Sequence, residues 1–442
     1  MQASFHHHLD KYEKIGSAMT KQAARKPAKG PAKKPAKKGK VAVLRDDGED
    51  VYLMEPMRIS EECDARPELT DLVLELTKRS SSFRASLPKG LAGPLAEFVR
   101  SMNCYYSNLI EGRSTHPVDI ERALNNDLIK NDAKKRNLQL EAKAHIEVQR
   151  WIDEGGLDGK EMTVDGVRQI HHRFTSHLPE ELHWIENPET GEKRSVTPGE
   201  WREHDVAVGR HVPVSPGAIA RFMRRFEERY SGLGNFEAIL ATGPAHHRLV
   251  YIHPFADGNG RVTRLVSYAT LRRTLDTAGL WSIARGLARR KNDYMGHLAE
   301  CDQIRRGDRD GRGHLGEAAL ISFTKFFLDV SIDQVDFMEG LMQPNAFRER
   351  IMRWAEEQIR FGTIPTRGAR VLDAILFKGS LPRGEVAEVL NQSERTANYV
   401  TQALVKHGII SSSGARAPWQ IAFPAKLAAR LMPGLFPDPI PD

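Results

Sequence analysis

Apolar residues recurring at three- and four-residue spacing over most of the chain limit its fold more than any other feature. ELTDLVLELTKRSSSF (68–83), LAGPLAEFVRSMNCYYSNLI (91–110), VDIERALNNDL (118–128), LEAKAHIEVQRWIDE (140–154) and VDGVRQIHHRFTSHL (164–178) each carry that pattern. It returns in AIARFMRRFEERY (218–230), NFEAILATGPAHHRLVYI (235–252), RVTRLVSYATLRRTLDTAG (261–279) and ALISFTKFFLDVSIDQVDFMEGL (319–341). The expectation is a mainly α fold, a helical bundle. Between Thr190 and Pro216 the texture changes to Gly, Pro and short alternating stretches such as DVAV and HVPV, which predict a small β-hairpin beside the bundle. No repeat of 20–50 residues is visible.

With 442 residues, 40% of them hydrophobic, the chain can bury a sizeable core. No apolar run approaches the ~18–20 residues of a bilayer span, and MQASFHHHLDKYEK lacks the apolar core of a signal peptide, so the expected compartment is the cytoplasm. Cys63, Cys104 and Cys301 lie far apart without CxxC spacing, which argues against a disulfide framework or a zinc site. The formal charge of +7 is concentrated in KQAARKPAKGPAKKPAKKGK (21–40), which holds nine Lys and Arg and no acid. Taking those nine from the 65 Lys and Arg leaves 56 against 58 Asp and Glu, so the rest is nearly neutral. Residues 1–45 read as a disordered tail, either solvated or in weak, salt-sensitive contact with a polyanion.

The chemistry concentrates in YIHPFADGNGRVTR (251–264), where an apolar run breaks at a His-Pro pair, turns through Asp257, Gly258, Asn259 and Gly260, and restarts as a helix. Such a turn can point successive N–H groups at one spot, and the helix start adds the positive end of its dipole. Arg261 and Arg264 can converge on phosphate oxygens. Asp257 can hold Mg²⁺ through its carboxylate, and His253 can take a proton from an attacking hydroxyl near neutral pH. A base, a metal ligand, an anion nest and two arginines together describe a phosphoryl- or nucleotidyl-transfer site.

HPFADGNGRVTR fits the HPFx(D/E)GNGRxxR signature at every specified position, and here the chain resembles the Fic family. The resemblance implies an all-α Fic core with a target-positioning flap, here residues 206–214 (VAVGRHVPV), that pairs with the target by strand addition. It implies transfer of AMP from ATP, with Mg²⁺, onto a Ser, Thr or Tyr hydroxyl of a protein. His253 would be the base and Asp257 the Mg²⁺ ligand. Gly258, Asn259 and Gly260 would form the nest, Arg261 and Arg264 would hold the β- and γ-phosphates, and Phe255 would anchor the loop. SNLIEG (107–112) fits the (S/T)xxxE(G/N) pattern of the family's inhibitory helix, which implies that Glu111 pairs with Arg264 in the place of the γ-phosphate. The alternative for Glu111 is a solvated helix end with Gly112 as its C-cap.

Residues 366–424 read as three helices followed by a turn-rich hairpin, and resemble a winged helix-turn-helix domain. On its third helix Val400, Ala403 and Leu404 would face inward, leaving Arg395, Asn398, Tyr399 and Gln402 outward for DNA, or else for a protein partner. The chain thus divides into a tail (1–45), an N-terminal helical region with the inhibitory helix (46–135), a Fic core (136–340) and a winged helix-turn-helix domain (341–430). The expected activity is autoinhibited protein adenylylation with ATP as substrate and no membrane partner. Homodimerisation stays open. The competing readings are removal of AMP, transfer of another group by a Fic enzyme, and a DNA-binding regulator with a nucleotide-sensing core.

Overall fold

The structure is a computed structural model that describes residues 44–186 and 191–436, apart from the side chain of Lys89. The basic tail therefore lies outside the described residues except for its last two positions, and so does Thr190.

The helices are α1 (Arg66–Ser86), α2 (Lys89–Ile110), α3 (Pro117–Leu124), α4 (Ala133–Asp153) and α5 (Val164–Ser176). After the short strands β1 (Trp184–Glu186) and β2 (Lys193–Ser195) come α6 (Ile219–Tyr230), α7 (Asn235–Ile252), α8 (Asn259–Leu275), α9 (Ala284–Arg289), α10 (Lys291–Cys301), α11 (Glu317–Met342) and α12 (Pro344–Arg360). The C-terminal part adds α13 (Gly368–Lys378), α14 (Val386–Leu390), α15 (Glu394–Lys406), β3 (Ile410–Ser411), β4 (Gln420–Ile421) and α16 (Ala428–Leu431). The molecule is mainly helical, with few short strands, as the periodicity predicts.

Several boundaries differ from that reading for local reasons. Helix α4 begins at Ala133 rather than near 140, because the Asp132 carboxylate caps the Lys135 N–H at 3.0 Å ahead of a charged first turn with no apolar stripe. Helix α3 stops at Leu124, before Asn126 adopts φ 60°. Helices α9, α10 and α12 lie in stretches for which no helix was expected.

Helices α7 and α8 pack together at the centre, and most side chains of each are buried. An amphipathic helix is apolar on one side; these two are enclosed all round by α1, α4, α5, α6 and α11. One cluster of buried apolar residues joins α4 to α8, around Ile170, Phe222, Phe226, Phe255 and Leu265. A second runs from α1 and α2 through α11 and α12 into α13–α16. Strands β1 and β2 pair antiparallel, Ile185 opposite Arg194. Further on, Val208 and His211 exchange both backbone hydrogen bonds around Gly209 and Arg210, giving the expected 206–214 segment a tight turn at its tip.

Candidate active site

The site lies where α7 ends and α8 begins. His253 is the residue that stops α7: its N–H still reaches the Leu249 carbonyl at 3.1 Å, but its backbone turns left-handed, φ 49° and ψ 61°. A non-glycine residue holds that conformation only when its surroundings impose it. Asn259 supplies part of that constraint. Its side chain accepts from the Phe255 N–H (2.9 Å) and donates to the Phe255 carbonyl (2.8 Å), closing the loop on itself. The Phe255 ring is fully buried, stacked on His171 with centroids 3.9 Å apart and flanked by Trp201 at 5.0 Å. Phe255 is thus a buried anchor, and the Asn259 side chain is a latch of the loop, a use its place in the motif did not disclose.

Gly258, at φ 82°, makes the turn into α8, and its N–H is held by Asp257 Oδ1 at 2.7 Å. The first N–H groups of α8 have no intrahelical acceptor and form the positive end of the helix. Two guanidiniums stand beside them. Arg261 donates to Asp257 Oδ2 (3.1 Å) and to Glu141 on α4 (3.0 Å), with its carbon 4.7 Å from the Phe174 ring centre. Arg264 is 3% exposed. It reaches the Ser107 hydroxyl (2.9 Å), the Ser107 carbonyl (3.0 Å) and Glu111 Oε1 (2.5 Å).

Glu111 caps α2. The Gly112 N–H returns to Leu109 and the Arg113 N–H to Asn108, the two bonds of a Schellman turn, so the chain end projects Glu111 and Arg113 at the start of α8. A Cβ on Gly260 would stand 2.2 Å from Glu111 Oε1, so only glycine lets the carboxylate approach this closely. Burial would raise the Glu111 carboxyl, but Arg264 and Arg261 outweigh it and hold it below the ordinary value. Asp257 behaves alike: burial opposes ionisation, and Arg261, Arg113 and the Gly258 N–H overcome it. Burial pushes the His253 imidazole down to about 4, with Arg202 and His211 adding to the effect, so it is neutral at pH 7. Its Nδ1 is buried and makes no hydrogen bond among the described residues.

The structure therefore brings His253, Asp257, Gly258, Asn259, Gly260, Arg261, Arg264 and Glu111 to one place. Sequence reasoning missed Ser107 as a ligand of Arg264, Glu141 and Arg113 as the ion pair behind Arg261 (2.5 Å), and Arg202. Glu141 and Arg113 meet across α4 and the turn after α2, and Arg202 reaches carbonyls of loop residues, so no local spacing announces them; Ser107 is the Ser of the SNLIEG pattern. A groove of about 650 Å³ lined by Leu91, Phe347 and Phe377 shares no residue with the site.

On a mainly α protein, a helical hairpin thus carries in its loop a left-handed histidine and a glycine turn, with two arginines at the start of the second helix. Residues 161–271 match the model of the Fic/DOC family, and the chain carries a Fic/DOC domain there. Over 128 residues it is 34% identical to the protein adenylyltransferase Fic of Drosophila willistoni, and over 126 residues 32% identical to that of Drosophila erecta. Each match takes in 28% of this chain and 22% of the relative, so the chain spans only about a fifth of the curated relatives it matches. Among solved structures, a Fic family protein from Desulfovibrio desulfuricans G20 aligns with 83% of this chain and 98% of its own, at 15% identity and a TM-score of 0.48. Fic-1 from C. elegans aligns with 63% and 72%, at 16% identity and a TM-score of 0.43.

Proposed function

We propose that this chain is a protein adenylyltransferase held in check by its own Glu111. The observation that carries this reading is the convergence of a neutral His253, the N-terminus of α8 and the Glu111–Arg264 pair, which joins the end of α2 to α8. The named relatives, protein adenylyltransferases Fic, support it. In the reaction, His253 takes the proton of a Ser, Thr or Tyr hydroxyl on the target. The freed oxygen attacks the α-phosphorus of ATP, the bond from that phosphorus to the bridging oxygen breaks, and pyrophosphate leaves with the electron pair. Arg261 and Arg264 hold the β- and γ-phosphates, and the segment 206–214 aligns the target.

Asp257 suits a phosphate-borne Mg²⁺. It is ionised and its side chain is 41% exposed. Mg²⁺ commonly takes only one or two carboxylates beside phosphate oxygens and water. No cluster of three candidate metal ligands exists among the described residues. Bound there, Mg²⁺ would offset phosphate charge.

In the resting chain Glu111 occupies the guanidinium that the γ-phosphate requires, and one anion excludes the other. Mass spectrometry after incubation with ATP, UTP or GTP and Mg²⁺ tests the whole reading. AMP added to the chain itself or to lysate proteins supports it; UMP or GMP, or loss of AMP from a modified target, would replace it with another Fic chemistry.

A second reading belongs to α13–α15 and the β3–β4 hairpin, for which a winged helix-turn-helix is proposed. Its support is that Arg395, Asn398, Tyr399 and Gln402 are all exposed on α15 while Val400 and Leu404 are buried. Duplex binding that falls on Arg395→Ala or Gln402→Ala supports DNA contact, each base contact contributing about 1–3 kcal/mol. Binding that depends wholly on residues 21–40 removes it.

A further inference from the structure

Arg202 belongs to none of the motifs, yet it is 2% exposed and forms no salt bridge among the described residues. A buried guanidinium is costly unless its donors are met. Here each of its three nitrogens donates to a backbone carbonyl. Nε donates to the His253 carbonyl (2.8 Å), Nη1 to the His204 carbonyl (2.9 Å) and Nη2 to the Val214 carbonyl. The Arg202 backbone N–H donates to the Pro254 carbonyl at 2.9 Å. The preceding residues lie along the same loop: Trp201 packs on Phe255, and the Gly199 N–H donates to His171 Nδ1 (2.9 Å), whose ring stacks on Phe255.

One planar cation thus binds the carbonyl of the left-handed His253 and both ends of the segment that carries the Val208–His211 turn. A strained residue persists only where neighbours over-determine it, and the fork of Arg202 is the side chain that fixes the His253 peptide from outside its own loop. We propose that Arg202 is a positioning residue that locks His253 and the 204–214 flap into one rigid unit, so that the base and the target strand keep a fixed relation. This rests on the reading of His253 as the base. It differs from a mere folding role in a specific way: loosening the clamp should misplace the base without disturbing the nest, because among the described residues Arg202 donates to the His253, His204, Val214 and Pro254 carbonyls and to no group of α8 or Glu111.

The test compares Arg202→Lys and Arg202→Ala in the full-length Glu111→Gly chain, by hydrogen–deuterium exchange and by transfer kinetics. Lysine keeps the charge but offers one donor centre in place of a three-way fork, and it guards against an alanine variant that fails to fold. The expected result for Arg202→Lys is faster exchange in 253–258 and 204–214 together. Its kcat should fall about ten- to a hundredfold, the scale of a misplaced reacting group. The Kd for ATP should stay within about threefold, since the phosphate-holding groups are untouched. Exchange that rises in one segment alone or in neither, or an ATP affinity that falls in step with kcat, overturns the proposal. If the Glu111→Gly parent transfers nothing, the functional reading fails while the exchange result still decides the clamp.

Discussion

At the scale of single residues the proposed autoinhibition is a contest between two anions for one guanidinium. Glu111 Oε1 lies 2.5 Å from Arg264, and a γ-phosphate in the same place must displace it. Glu111→Gly is therefore expected to raise transfer, self-modification included, by roughly ten- to a hundredfold, if the pair disfavours the productive ATP pose by about 1.4–3 kcal/mol. Arg264→Ala should show no such gain, because it removes the inhibitor's partner and the phosphate ligand together. Mass spectrometry against time on the two variants checks both. His253→Ala should lower transfer about 10²- to 10⁴-fold with ATP binding retained. The pH profile follows from burial. A base pushed down to about 4 is neutral above that value, so the acid limb of the rate should fall near pH 4 rather than near 6.5, with a plateau from pH 6 to 8.

At the scale of elements the decisive helix is α2, because its two faces answer to different parts of the chain. The end that carries Ser107 and Glu111 engages Arg264. The face that carries Phe98, Tyr105 and Tyr106 is covered by the C-terminal arm after β4. Phe98 stacks on Phe423 at 5.6 Å and meets Phe436 at 5.7 Å; Tyr105 meets Phe436 edge-on at 5.4 Å, and the Tyr106 hydroxyl donates to the Leu435 carbonyl at 2.8 Å. Phe436→Ala removes the aromatic partner of Tyr105 and Tyr106, the two residues that precede Ser107 on α2. It should lower stability by about 3 kcal/mol, the low end for a core Phe→Ala change. It should also raise basal transfer, because a looser α2 presents Glu111 less firmly. Denaturation and transfer assays on one preparation check the pair; lost stability with unchanged transfer would show that the arm supports the fold alone.

At the scale of the whole molecule, stability should depend on acid in a narrow window. His145, His246 and His247 are 2% exposed or less, and burial is the main cause that keeps each neutral: His145 down to about 3, His247 to about 4, His246 well below its ordinary value. Their folded values lie below the unfolded value near 6.5, so the unfolded chain takes up protons first as pH falls. Their contribution is complete above pH 6.5 and is lost as pH falls toward 4. Tm should drop by several degrees between pH 7 and pH 5, and His145→Gln should flatten part of that slope. A Tm unchanged down to pH 4.5 would contradict the burial of these rings.

Local pattern made much of this protein legible. Spacing of apolar residues located α7 and α8, and twelve consecutive residues named the loop between them, because a turn into a helix is built from neighbours in sequence. Glu111 was legible through a short pattern whose partner, Arg264, lies 153 residues away. Other features arise only when distant elements meet. Asp132 capping lengthened α4 where no apolar stripe pointed to a helix. Glu141 joins the site because α4 crosses α8, and Arg202 because a loop folds back over the His253 carbonyl. The C-terminal arm lies against α2 because Phe98, Tyr105 and Phe436 bury one another, a match of surfaces that no single segment encodes. By itself the sequence determined most of the helices and the loop between α7 and α8, whose hydrogen bonds close within a few residues. Tertiary structure alone decided which carbonyls and carboxylates surround that loop, since buried charges must find partners wherever the fold brings them.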